Sequence, residues 1–84
     1  MGFLMNFTAH TAKQLGQVLR SQRKAQKLTQ KTAASTVGLL PKTISRLEHD
    51  TETATIESLF KLLSALDLEL VIRSKSQEST DKGW

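Results

Sequence analysis

The sequence predicts a mainly α fold of four to five short helices with one C-terminal β-strand, and three observations carry that expectation. Apolar residues recur at helical spacing in successive stretches between Ala12 and Leu66. Three of those stretches are preceded by a threonine able to cap a helix, namely Thr11, Thr29 and Thr55. One later segment, Leu68-Glu-Leu-Val-Ile-Arg73, alternates and is β-branched in the manner of a strand.

Thr11-x-x-Gln14 reads as a capping box and opens a first helix over residues 11–26, with Ala12, Leu15, Val18, Leu19 and Ala25 as its apolar set. A second helix follows over residues 29–37. Its Thr29 hydroxyl caps the N-terminus, Gln30 follows where backbone N–H groups and a long amide meet an anion, and Ala33 and Ala34 are small enough for two helices to cross closely. Gly38 suits a turn that needs positive φ, and the third helix starts at Pro41, whose missing N–H costs nothing at a first helical position. Two short helices meeting at a sharp turn form a helix-turn-helix. Val37, Ile44 and Leu47 point into the core. At about 100° per residue, Lys42 and Arg46 project opposite Ile44, one turn apart, on the face able to enter a DNA major groove. His49 to Ala54 is polar and reads as a loop. Thr55 then caps a further helix with Glu57 in its first turn, and the stripe Ile56, Leu59, Phe60, Leu63 and Leu66 is expected in the core.

A lone strand leaves its backbone groups unpaired, and the chain offers no second candidate, so Leu68, Glu69, Leu70, Val71, Ile72 and Arg73 are expected to pair antiparallel with the same segment of a second copy. With the two-fold axis at Val71, Glu69 faces the Arg73 of the other chain. The organisation expected is an arm over residues 1–10, a domain over residues 11–73 and a disordered tail over residues 74–84. Trp84, a large aromatic on that polar tail, is a candidate anchor for a partner.

Charge divides the chain sharply. From Met1 to Leu47 there are eight basic residues and no acid, and from Glu48 onward acids exceed bases by four, giving the overall +4. A wholly cationic half suits a polyanion. A membrane surface fits less well, since the basic residues are spread over several predicted helices and no span has the length of a bilayer crossing. The apolar start Met1-Gly-Phe-Leu-Met has no basic leader or cleavage pattern, and no signal peptide is expected. The absence of cysteine excludes disulfides and thiolate metal sites and suits a reducing cytoplasm. His10 and His49 have no ligand-spaced neighbours, and there is no phosphate-cradling glycine loop or nucleophile elbow. Neither a metal, a cofactor nor catalysis is expected.

Leu15-Gly-x-Val-Leu-Arg20-x-x-Arg23, then Leu28-Thr-Gln30, Gly38, Ile44-Ser45 and Glu48, resembles the Xre or Cro/repressor family. The resemblance covers residues 15–66 and implies a lambda-repressor-like helix-turn-helix domain that binds palindromic double-stranded DNA as a homodimer. It also implies roles: Gln30 on phosphate, Lys31 on phosphate or base, Leu40, Pro41, Lys42, Ser45 and Arg46 at base edges, Thr43 near the backbone, and an ion pair between Arg23 and Glu48. Departures from the family pattern change the expectations. Ala33 stands for the usual leucine, and Lys27 for the glycine after the first helix, which puts a left-handed backbone on a residue with a side chain. Leu40 and Pro41 replace polar residues, so amide readout of adenine gives way to apolar contact with a thymine methyl, and specificity falls on Lys42 and Arg46 against guanine. The loop from Asp50 to Glu52 is acidic where some relatives are basic.

Within the family, the small size, the strand and the tail ending in Trp84 are most similar to HipB-type antitoxins. That resemblance implies a repressor of its own operon that also binds a HipA-like Ser/Thr kinase toxin. A stand-alone Xre-type regulator of phage or plasmid origin shares the DNA chemistry without the protein partner. A small adaptor using the strand edge for another protein is the alternative of a different class.

Overall fold

The computed structural model describes residues 6–75. Four α-helices and a short 3-10 turn follow one another: α1 (Ala12–Ala25), α2 (Gln30–Thr36), α3 (Pro41–His49), the 3-10 turn (Thr51–Thr53) and α4 (Ile56–Ala65). Three of the helices start on the expected threonines. The hydroxyls of Thr11, Thr29 and Thr55 accept from the backbone N–H of Gln14 (3.0 Å), Thr32 (3.0 Å) and Ser58 (3.1 Å). Each satisfies one of the donors that a helix leaves orphaned at its start. The Gln14 side-chain Oε1 accepts from the backbone N–H of His10 at 2.6 Å, one residue before the cap.

The helices end as sharply as they begin. Lys27, Gly38 and Asp67, with φ of 60°, 72° and 59°, each follow the residue that caps the C-terminus of a helix, namely Gln26, Val37 and Leu66. Beyond each of them a leucine N–H returns to a carbonyl of the closing turn: Leu28 to Arg23 (3.1 Å), Leu39 to Ala34 (2.9 Å) and Leu68 to Leu63 (2.8 Å). This is the Schellman closure, which turns the chain and places an apolar residue back against the helix it leaves. Leu28, Leu39 and Leu68 all pack on the core.

The core is Leu19 from α1, Ala33 and Ala34 from α2, Ile44 and Leu47 from α3, and Leu59, Leu62, Leu63 and Leu66 from α4 and its cap. The small alanines let α2 cross α3 closely, so alanine at position 33 goes with a fully buried site. Gly16 has the complementary role on α1. A Cβ there would overlap the carbonyl oxygen of Glu48 and the Thr51 hydroxyl, so α1 meets the end of α3 by its backbone. Thr51 in turn donates to the carbonyl of Leu47 at 2.6 Å and closes α3.

Two expectations are corrected. Ile56 and Phe60 are not core: they are 67% and 50% exposed, while Leu62, which the stripe omitted, is fully buried. The arc of α4 that meets other helices is centred on Leu59, Leu62 and Leu66, and among the described residues no further layer covers the side where Ile56 and Phe60 lie. The second correction concerns Leu68 to Arg73. No strand forms among the described residues, and after Leu68 this segment leaves the core with Leu70, Val71 and Ile72 exposed. A β-ladder needs a second row of N–H and C=O groups, and nothing among the described residues supplies one. Met1 to Met5 and the tail from Ser76 to Trp84 lie outside the described residues, and with them the proposed anchor. Among the described residues, no helix is long and apolar enough to cross a membrane.

Candidate nucleic-acid interface

One buried polar cluster ties the start of α2 and the end of α3 to α1. Arg23 projects from α1 and Glu48 from the last turn of α3, and both are buried. The Arg23 Nε donates to Glu48 Oε2 at 2.6 Å and Nη2 to Oε1 at 3.1 Å, a two-pronged pair. The remaining nitrogen, Nη1, donates to the carbonyl oxygen of Leu28 at 2.8 Å, and the Gln30 amide donates to Glu48 Oε1 at 3.3 Å. The guanidinium thus joins α1 to the end of α3 and to the carbonyl of Leu28, which precedes the Thr29 cap, and the Glu48 carboxylate extends the cluster to Gln30, the first residue of α2. Every buried side-chain polar atom among the described residues has a partner. A pair of this kind contributes little net stability against apolar side chains of the same size, but it fixes geometry because breaking it strands a buried charge.

This clamp sets the angle at which α3 is presented. Lys42 and Arg46 are exposed, on the side of α3 opposite the buried Ile44 and Leu47. Thr43 and Ser45 flank them half-buried, and Leu40 and Pro41 stand exposed at the leading end. Lys31 is exposed in the first turn of α2. Gln30 is placed differently from the others in the proposed contact set: its side chain is half-buried and joins the clamp through its amide.

Sequence reasoning missed the second wall of this surface. Lys42, Thr43 and Arg46 share a shallow groove of about 210 Å³ with Thr53, Ala54, Thr55 and Ser58 at the start of α4. Its lining has two cations, four hydroxyls and no carboxylate. Helical periodicity places residues within one helix, and the groove forms only because the 3-10 turn folds the start of α4 back beside α3.

The charge carried by the first three helices favours an anion. Among the described residues, the ion pairs are Arg23 with Glu48 and Lys61 with Glu57 at 3.6 Å. Lys13, Arg20, Lys24, Lys27, Lys31, Lys42 and Arg46 therefore have no carboxylate within 4.0 Å among those residues. Positive charge held without internal partners raises the local potential for a polyanion. His10 and His49 are both exposed, and no group of metal-ligating side chains forms among the described residues.

Comparison with known proteins agrees with this geometry. The helix-turn-helix family model matches residues 19–72. An uncharacterised HTH-type transcriptional regulator of Sinorhizobium fredii is 36% identical over 67 residues, which are 80% of this chain but 34% of the relative, so the chain spans about a third of that protein. Among solved structures, a HipB-O4 20mer complex and a HipA-HipB-O2-O3 complex each align with a TM-score of 0.80 at 24% identity, over 83% of this chain and 99% of theirs. A HipB-O1-O2 complex aligns with a TM-score of 0.78 at 25% identity, over 82% of this chain and all of the other. The structural likeness extends through the last helix and beyond the turn itself. The chain belongs to the Xre-type helix-turn-helix family.

Proposed function

We propose that this chain is a sequence-specific, dimeric DNA-binding repressor that acts as a HipB-like antitoxin. The observation that carries the DNA-binding function is the outer face of α3, where Lys42 and Arg46 stand exposed and unpaired on a helix whose angle is fixed by the Arg23, Glu48 and Gln30 cluster. In a major groove, Lys42 and Arg46 donate to guanine O6 and N7, and Leu40, Pro41 and Ser45 lie against base edges. Lys31, Thr43 and the backbone N–H at Gln30 meet phosphates and position the helix without reading sequence. Thr55 and Ser58 extend that backbone contact along the groove, where the preceding loop carries acids instead of bases.

A palindromic operator calls for two copies. The exposed Leu70, Val71 and Ile72, with Glu69 and Arg73 on either side, are the contact we assign to the partner copy, in the antiparallel register that sets Glu69 against Arg73. The HipA-like kinase partner is supported by the fold shared with the HipA-HipB-O2-O3 complex. A stand-alone regulator is the second reading, favoured by the relative from Sinorhizobium fredii, which is known only as an HTH-type regulator. Affinity purification from the native host separates the two. Stoichiometric recovery of a kinase establishes the antitoxin, and its loss on removing residues 75–84 assigns the tail to the partner. DNA without a kinase leaves the stand-alone regulator, and a protein partner without DNA leaves the adaptor.

A further inference from the structure

Three of the four helices begin on a threonine whose hydroxyl caps them, and α3 does not. Its N-cap is Leu40, which makes no side-chain cap bond and is 58% exposed, whereas the adjacent Leu39 is tucked against the core. A cap of serine, threonine, asparagine or aspartate stabilises a helix start, so leucine here forgoes stability that the chain takes at Thr11, Thr29 and Thr55. The Leu40 side chain gains little burial in return, and it is not among the residues packed on the core. It stands at the leading end of α3, next to Pro41 and within the same short helix as the cations Lys42 and Arg46. A local rule broken without a folded-state gain marks a functional position.

We infer that Leu40 is the specificity-determining reader of a pyrimidine 5-methyl group in the major groove. This rests on the proposed DNA-binding function and names the chemistry that one of its residues recognises. The 5-methyl of thymine is the one apolar feature that an unmodified base pair displays in the major groove, and 5-methylcytosine displays the same group at the same place. An exposed isobutyl side chain offers no hydrogen bond to any base edge, so methyl contact is the discrimination open to it. The operator therefore carries a thymine under Leu40, and methylation of a cytosine placed there substitutes for it.

The test uses the full chain. Duplexes enriched from a random pool by the wild-type protein are resynthesised with uracil in place of each thymine, one at a time, and with cytosine or 5-methylcytosine at any position that responds. At one position per half-site, uracil weakens wild-type binding about fourfold, the effect of one buried methyl group, and 5-methylcytosine binds more tightly than cytosine by a similar factor. Leu40→Ala loses both effects. Leu40→Ser loses both while its Tm rises by about 4 °C, since a cap has been restored, so loss of preference is not loss of fold. Identical uracil profiles for wild type and Leu40→Ala would overturn the methyl-reading role while leaving DNA recognition intact. Failure of the wild-type protein to enrich any sequence would overturn the DNA-binding function and this role with it.

Discussion

Lys27 and Asp67 occupy the same left-handed backbone region as Gly38, at φ of 60° and 59°, and carry side chains that resist it. Aspartate tolerates that region better than lysine, because its short polar group bonds locally, so the strain is concentrated at Lys27. Lys27→Gly is expected to raise stability by about 1 kcal/mol, the relieved strain exceeding the entropy that glycine gains in the unfolded chain. Chemical denaturation checks it, with the midpoint rising at unchanged slope. Gly16 is the opposite case. Its Cβ would have to pass through backbone of α3, which cannot yield as a side-chain tip can, so Gly16→Ala is expected to cost about 1–3 kcal/mol in the same experiment. Lys27 was legible in the sequence because the family pattern has glycine there. Gly16 stands in the motif that carries the family resemblance, but its reason was not legible, since close approach depends on the partner helix.

At the scale of elements, the clamp and the recognition helix make separable predictions. Arg23→Ala strands the Glu48 carboxylate in the interior and is expected to cost about 3–5 kcal/mol, whereas replacing both together, Arg23→Met with Glu48→Leu, recovers most of that loss. Thermal unfolding of the three proteins measures the difference. Lys31→Ala leaves the fold intact and weakens binding on every DNA sequence alike, reducing the slope of log affinity against log salt by about one. Helix starts and stops were readable because their signals are local: threonines at the caps, Pro41 at a first turn, Gly38 after α2. Tertiary placement was not. The amide of Gln26 donates to the carbonyl of Leu66, 40 residues away, at 2.8 Å, and no local pattern announces it. The stripe on α4 had the right period but the wrong centre, because periodicity fixes the spacing of a face and a neighbouring helix decides which face is covered.

Over the whole molecule, the basic residues without acids run through Leu47, and acids exceed bases from Glu48 onward. Ile56 and Phe60 on α4 and Leu70 to Ile72 beyond it remain exposed in one copy, with Ile72 at 91%. An 84-residue chain has little core of its own, and a second copy would cover part of this surface. The strand was expected between two copies, and one copy shows none among the described residues because a ladder is a property of two segments. If Glu69 faces Arg73 across the dimer, Glu69→Arg weakens self-association in sedimentation equilibrium and the exchanged chain, Glu69→Arg with Arg73→Glu, restores it. Equal association of all three would exclude that register.

Recognition of sequence by the outer face of α3 is tested most directly by titrating wild type and Arg46→Ala against an enriched duplex and a random duplex at one salt concentration. Loss of about 1–3 kcal/mol on the enriched duplex alone, with preference relaxed at one base pair, is the result expected of a base reader. Equal weakening on both duplexes would make Arg46 a phosphate contact and contradict the placement of α3 in the groove.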